Sequence, residues 1–221
     1  MTIKRKRIEM KKRSDLGSEL GRSMIEMLGV LAIVGILSIG GISAFQKAMN
    51  KHKINQVTEE LSGFINELLR YSADWRREIS GDYREITSLV DFLVPATWER
   101  KGNYIKDSAG NKIIVAVRTD YEPARKKISL SYRFIERDAK SKTDLCMALY
   151  EMTKTFADSI WGATPWHRAG DNSATPWAYG NAFCGGRKKC LRDLTFSEMR
   201  ANCEIFEADD DDCSFAIHFP I

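Results

Sequence analysis

A chain of 221 residues with 43% hydrophobic content has room for one domain plus a membrane anchor, or for two small domains. Its net charge of +4 does not point to nucleic acid, because the excess sits in one place. Residues 1–21 hold seven Lys or Arg against three acids, and the rest of the chain is balanced.

Residues 1–21 read as a polar, cationic tail ending in Gly21. Lys and Arg beside a membrane segment stay on the cytoplasmic side, so everything after Phe45 is expected in the periplasm or outside. From Met27 to Phe45 there are nineteen residues without a charge, close to the ~20 that cross a hydrocarbon core. This is not an ordinary secretory signal: the run is too long, no small-x-small cleavage site follows it, and it leads into a further helix. Glu26 stands at its mouth. An acid at the centre of a membrane helix costs about 2.5–3.5 kcal/mol, and less at the edge, but a plain anchor has no use for it. Small residues recur every third position (Gly29, Ala32, Gly35, Ser38, Gly41, Ala44), a row that winds around a helix and suits neighbours on several sides. Membrane helices also simply tolerate glycine.

Lys47 to Arg70 contains no proline, and Ile54, Val57, Leu61, Phe64, Ile65, Leu68 and Trp75 keep the spacing of an amphipathic helix. One continuous helix is expected from about Arg22 to about Arg77, with the solvent face carrying Lys51, Lys53, Glu59, Glu60 and Glu67. Its one-sided second half needs a globular partner, which must be the remainder of the chain. There Ile86 to Leu93 reads as a short helix. Tyr104-Ile105 and Lys112 to Thr119 read as a hairpin turning at 107–111, and Lys127 to Glu136 as a strand by its alternation. Leu145, Leu149, Met152, Phe156 and Ile160 give another amphipathic helix.

Trp161 to Gly186, rich in Gly, Ala, Asn, Pro and aromatics, reads as a long loop that repeats Ala-Thr-Pro-Trp at 163–166 and 174–177. Trp166, Trp177 and Tyr179 either form a recognition surface or pin the loop to the sheet. Thr195 and Glu198 make a capping box for a short helix into Cys203. Phe215, Ile217 and Phe219 alternate in a final strand.

All five cysteines (Cys146, Cys184, Cys190, Cys203, Cys213) fall in the exported part, where disulfides are the rule. Two bridges leave one thiol over, and the pattern alone does not choose among the arrangements. The candidate pairing joins Cys184 to Cys190 and Cys203 to Cys213, with Cys146 as the odd thiol. Asp209, Asp210, Asp211 and Asp212 are hard oxygen donors of the kind calcium takes, although a charge run is ordinarily a solvated turn. A zinc site from His167, Cys184 and Cys190 is disfavoured by irregular spacing and by export. The histidines His52, His167 and His218 are scattered without a catalytic spacing, so no enzymatic activity and no committed cofactor are expected.

The segment Gly21-Arg22-Ser23-Met24-Ile25-Glu26 and the apolar run behind it resemble the processing and assembly segment of type IV pilins and type II secretion pseudopilins. That motif has a glycine at the cut, a glutamate five residues after it, and an unbroken apolar helix. The resemblance covers roughly Gly21 to Lys53; beyond it only the architecture is similar. Gly17, the other leader glycine, would put Arg22 at the acidic position and fails.

The resemblance implies an α+β, pilin-like fold: a long N-terminal helix on a small antiparallel sheet domain with extra helices. It implies a leader at 1–21, a transmembrane and filament-core helix at 22–53, and at 54–221 the amphipathic half with the exported domain. A prepilin peptidase would cut after Gly21 and N-methylate Arg22, and the subunit would wait in the inner membrane before entering a filament. The core set would be Met27, Leu28, Gly29, Val30, Leu31, Ala32, Ile33, Val34, Gly35, Ile36, Leu37, Ile39, Gly40, Gly41 and Ile42. Glu26 would meet the terminal ammonium of an adjacent subunit. The chain departs from the family in Arg22, where Phe or Met usually starts the mature protein, and in Leu20, where Lys or Arg is common. Its long leader is nearer the type IVb pilins. The alternative is a type II secretion pseudopilin, and a lesser one an uncleaved signal-anchored protein of the inner membrane.

Overall fold

The computed structural model describes residues 3–77, 82–119, 126–135, 138–167, 176–206 and 212–221, with side chains from residue 24 onward. Its contacts divide into two compact units, Met1–His52 and Lys53–Ile221.

Helix α1 runs over Ile3–Arg70. It begins well before Gly21, so residues 3–20 are helical where the sequence reading has a polar tail. Residues 3–20 contain Lys, Arg, Glu, Met and Leu without a proline, all good helix formers. Residues 24–49 are exposed throughout, including Ile36 at 72% and Ile39 at 73%. The polar groups in this apolar stretch turn inward to the backbone: Ser38 Oγ donates to the Val34 carbonyl (2.7 Å) and Ser43 Oγ to the Gly40 carbonyl (3.0 Å). The helix passes through Gly40-Gly41 without interruption.

In the second unit the same helix becomes one-sided. Val57, Leu61, Phe64, Ile65 and Leu68 are buried in one hydrophobic core, and Ile54 packs against its margin. The helix ends at Arg70, short of the expected Arg77, because Trp75 turns back. Its Nε1–H donates to the Leu68 carbonyl (3.1 Å), and the Asp74 and Trp75 amides both reach Tyr71 O. These bonds satisfy acceptors orphaned at a helix end, and a short helix α2 follows at Ser72–Arg77.

The sheet has only antiparallel ladders between its described strands, and an isolated parallel bridge joins Tyr179 to Cys190. Its strands are β1 (Tyr83–Glu85), β2 (Glu99–Arg100), β3 (Ile105–Lys106), β4 (Lys112–Arg118), β5 (Lys127–Arg133), β6 (Gly162–Trp166), β7 (Ala178–Tyr179) and β8 (Ser214–Pro220). They lie in the order β2-β3-β4-β5-β8-β6-β7, with β1 also paired to β4. The inner face carries Ile113, Val115, Val117, Ile128, Leu130, Tyr132, Phe215, Ile217 and Phe219, all buried. Helix α3 (Ala139–Lys154) starts at Asp138, whose carboxylate accepts from the Ser141 amide (2.8 Å). Phe156 and Ile160, read as its last turns, reach the core from a turn beyond it. Helix α4 (Phe196–Cys203) has the capping box expected of Thr195 and Glu198. The fold is thus α+β, with a long N-terminal helix, an antiparallel sheet and additional helices.

Two expectations fail for one reason: the backbone finds partners in the sheet. Residues 86–93 form turns and a single 3-10 turn at Asp91–Leu93 in place of a helix. The Ile86 amide donates to Val115 O (2.8 Å), and Thr87 Oγ1 exchanges hydrogen bonds with the Val115 backbone. Likewise 162–166 is no loop. Gly162-Ala163-Thr164-Pro165-Trp166 pairs along its length with β8, while β7 pairs only with Gly162 and Ala163. Pro165, which has no N–H to give, lies past the end of the β7 ladder, where none is needed. Gly180 permits the turn back: a Cβ there would overlap the Ile160 carbonyl oxygen.

Two carboxylates hold the irregular segments around Trp98 and 107–111. Glu60, read as part of a solvent face, accepts from Trp98 Nε1 (2.7 Å), Ser108 Oγ (2.6 Å) and Gln56 Nε2 (3.0 Å). Burial alone pushes its carboxyl up, yet these donors together hold it below the usual carboxylate range. Asp107 closes the β3–β4 turn by accepting from the Ala109 and Asn111 amides and from the Tyr132 hydroxyl. Burial, then the Asp107 charge, pushes the Tyr132 phenol up.

Candidate assembly segment and outer-face trough

The sequence singles out Gly21, Arg22 and Glu26. All three lie within the helical span of α1. The Arg22 side chain falls outside the described side chains, and Glu26 is exposed. Behind it the run from Met27 to Ile42 presents its apolar side chains on every side of the helix: Val30, Leu31, Ile33, Ile36, Leu37 and Ile39 are each at least 60% exposed. At Gly29, Gly35, Gly40 and Gly41 a Cβ would meet no atom within 4 Å. Contacts within this chain therefore give no reason for those glycines, although each weakens a helix by about 1 kcal/mol relative to alanine. The described part of α1 contains one span long and apolar enough to cross a membrane.

A second feature lies on the outer face of the sheet. The strand register brings Ile114, Ser131, Ala216 and Thr164 into one row across β4, β5, β8 and β6. Arg133, Ser214 and Trp166 form the row on one side of it, and Ala116, Ser129 and His218 the row on the other. With Tyr83, Arg118 and Trp177 these residues line a trough of about 340 Å³. Central strands that face water usually carry long side chains. Here serine, alanine and threonine leave a hollow.

The alternatives for the aromatic residues thus separate by position. Trp177 is a pin: its ring meets Trp161 (4.9 Å between centroids) and His218 (4.6 Å), and Tyr179 meets Trp161 from another side (5.1 Å). Beneath them the buried Lys127 ammonium lies 3.7 Å from the Trp161 ring centroid. Trp166 is 39% exposed at the end of β6 and lines the trough. Of the second Ala-Thr-Pro-Trp copy, Ala174 and Thr175 lie outside the described residues.

His218, scattered in sequence, meets Ser129 on the neighbouring strand: Ser129 Oγ and His218 Nε2 are 2.9 Å apart. Burial, and then the charges of Arg118 and Lys127, bring the imidazole down to about 3. An imidazole held that low is a weak proton acceptor at neutral pH, and the contact ties β5 to β8. Sequence reading missed Ser129, Ser131, Ser214 and Ala216. The available signal was the alternation in Lys127 to Arg133, whose outward positions hold two serines where lysine or glutamate is usual.

The disulfides correct the expected pairing in part. Cys184 joins Cys190, as expected. Cys203 does not join Cys213; it bridges to Cys146, with Cα atoms 5.8 Å apart. Cys203 ends α4, which packs on the α3 helix that carries Cys146. Cys213 is buried and belongs to neither bridge; its carbonyl accepts from the Phe134 amide (3.0 Å) at the start of β8. The bridge at Cys184 and Cys190 also removes both thiolates from the zinc site considered with His167. Asp209, Asp210 and Asp211 lie outside the described residues, while Asp212 pairs with Arg133 (3.6 Å). Among the described residues no cluster of three or more His, Cys, Asp or Glu could hold a metal ion.

No protein-family model, curated protein or solved structure matches the chain.

Proposed function

We propose that the chain is the precursor of a type IV pilin-like filament subunit, a building block and not a catalyst. In this reading a prepilin peptidase removes residues 1–21 and methylates Arg22. The helix is held in the inner membrane with the second unit in the periplasm, and it then moves into a filament core of identical or related subunits. The observation that carries the reading is the run of exposed apolar side chains behind a glycine and a phased glutamate. Such a surface costs too much in water to be left open, at about 25 cal/mol per Å² of apolar area. The unpacked glycines and the back-bonded serines suit it to close helix neighbours in an apolar medium.

Glu26 has its role there. A carboxylate in an apolar core requires a cation, and the terminal ammonium of a neighbouring subunit supplies one while setting register more than stability. The test is Glu26→Ala. The variant is expected to be cleaved as the wild type is and to be absent from filaments; normal filaments from it would overturn the assignment. A pseudopilin of type II secretion shares the same front end. It is separated from a pilin by whether deleting this chain abolishes surface filaments or protein export.

A further inference from the structure

The trough has a chemistry that the filament reading does not use. Its floor is short and hydroxylated, and the half-buried Ser131 hydroxyl has no hydrogen-bond partner among the described residues. One wall is the exposed Trp166 ring, in the row of Ser214, and Trp177 stands at the His218 end of the lining. On the opposite side the Arg118 guanidinium lies 5.5 Å from the Tyr83 ring centroid. Arg133 lines the trough in the row of Trp166, its nearest described acid being Asp212 at 3.6 Å, which is not part of the lining. The described lining thus contains two guanidinium groups and no carboxylate. Its volume, about 340 Å³, is at the small end of the roughly 300–1,000 Å³ typical of ligand sites.

A ligand that matches these features needs a flat C–H face for the indole, hydroxyls for the serine floor and a negative charge for Arg133, which lies in the row of Trp166. A neutral sugar lacks the third and a simple carboxylate lacks the first. We infer that the trough binds an acidic saccharide, a pyranose carrying a carboxylate, stacked on Trp166 with its charge directed to Arg133 in the same row. An acidic peptide is the competing occupant and fits less well. Extended peptides bind through main-chain hydrogen bonds at a sheet edge, whereas this lining is the side-chain face of central strands already paired on both sides. The inference rests on the recognition role of the aromatic residues and is independent of filament assembly.

The experiment uses the full chain in a sugar-free detergent, titrated with digalacturonate, its methyl ester and a tetraglutamate peptide. Calorimetry and tryptophan fluorescence are the readouts. Digalacturonate is expected to bind saturably and to change the fluorescence, with the ester and the peptide each at least about tenfold weaker. Trp166→Ala and Ser131→Trp, which removes the stacking ring or fills the floor, should each abolish binding while the thermal melt stays that of the wild type. Arg133→Gln should weaken it about tenfold. Glu26→Ala should bind as the wild type does, so that a failure of assembly and a failure of recognition are told apart. Absence of saturable binding, equal affinity for acid and ester, tighter binding of the peptide, or wild-type binding by a folded Ser131→Trp would each overturn the proposal. If Trp166→Ala does not fold, the acid and ester pair and Ser131→Trp decide it.

Discussion

One helix is built for two different surroundings. Between residues 24 and 49 its apolar side chains are all exposed, and its glycines touch nothing. Between Val57 and Leu68 the apolar side chains are confined to one stripe, and that stripe is buried to 2% exposure or less. The second stretch is explained by the chain it belongs to. The first is not, and it is long and apolar enough to cross a membrane. The contrast teaches that burial within one chain divides a sequence into what folds it and what it offers to something else.

The largest effect should come from breaking this contrast on its buried side. Phe64→Ala, which removes a ring lodged against Trp98 (5.3 Å between centroids), should destabilise the second unit by about 3–5 kcal/mol. Leu31→Ala, a comparable truncation in the exposed stretch, should leave that stability unchanged. Denaturant unfolding in detergent, followed by near-ultraviolet circular dichroism, compares the two; equal effects would erase the distinction.

Next come the bridges, both in the second unit. Cys146 and Cys203 are 57 residues apart and Cys184 and Cys190 are 6 apart. On a loop-entropy account their removal should cost about 4 and about 2 kcal/mol respectively. Melting of Cys146→Ser and Cys184→Ser would show the order, and the reverse order would refute the connectivity. Peptide mapping should recover the Cys146–Cys203 link and leave Cys213 open to alkylation once the protein is unfolded.

The smallest effect sharpens the comparison with acid. His218 sits at about 3 in the folded state against an ordinary 6.5. Between those values the unfolded chain binds a proton that the folded one refuses. Stability from this group is therefore complete above about 6.5 and falls as the pH drops, by roughly 1.4 kcal/mol per unit. Over pH 6.5 to 5.5 the second unit should melt progressively earlier, and His218→Asn should flatten that slope. An unchanged slope in the variant would remove His218 as its cause.

Much of this architecture was legible because local chemistry and tertiary placement agree. The alternation in β4, β5 and β8, the stripe from Val57 to Leu68 and the Thr195–Glu198 box each state their surroundings within a few residues. Strand β6 was not legible, since Gly, Ala, Thr and Pro have little intrinsic preference for a strand and are held by pairing with β8. The break at Tyr71 depends on an indole seven residues past the carbonyl it satisfies. Glu60 looked like solvent face because its partners, Trp98 and Ser108, are distant in sequence. The trough was hidden for the same reason: Tyr83, Arg118, Ser131 and Trp166 stand on different strands, and only the register brings them together. Gly21 and Glu26 differ from all of these. Their spacing was visible at once, and what it implies is chemistry carried out on the chain by another protein.

That chemistry gives the most direct test. The chain should be expressed in cells that carry a prepilin peptidase, recovered from the membrane, and measured by intact mass with N-terminal sequencing. The account predicts a chain lacking residues 1–21, beginning at Arg22 and heavier by one methyl group. A full-length chain, or a start at any other residue, would contradict it.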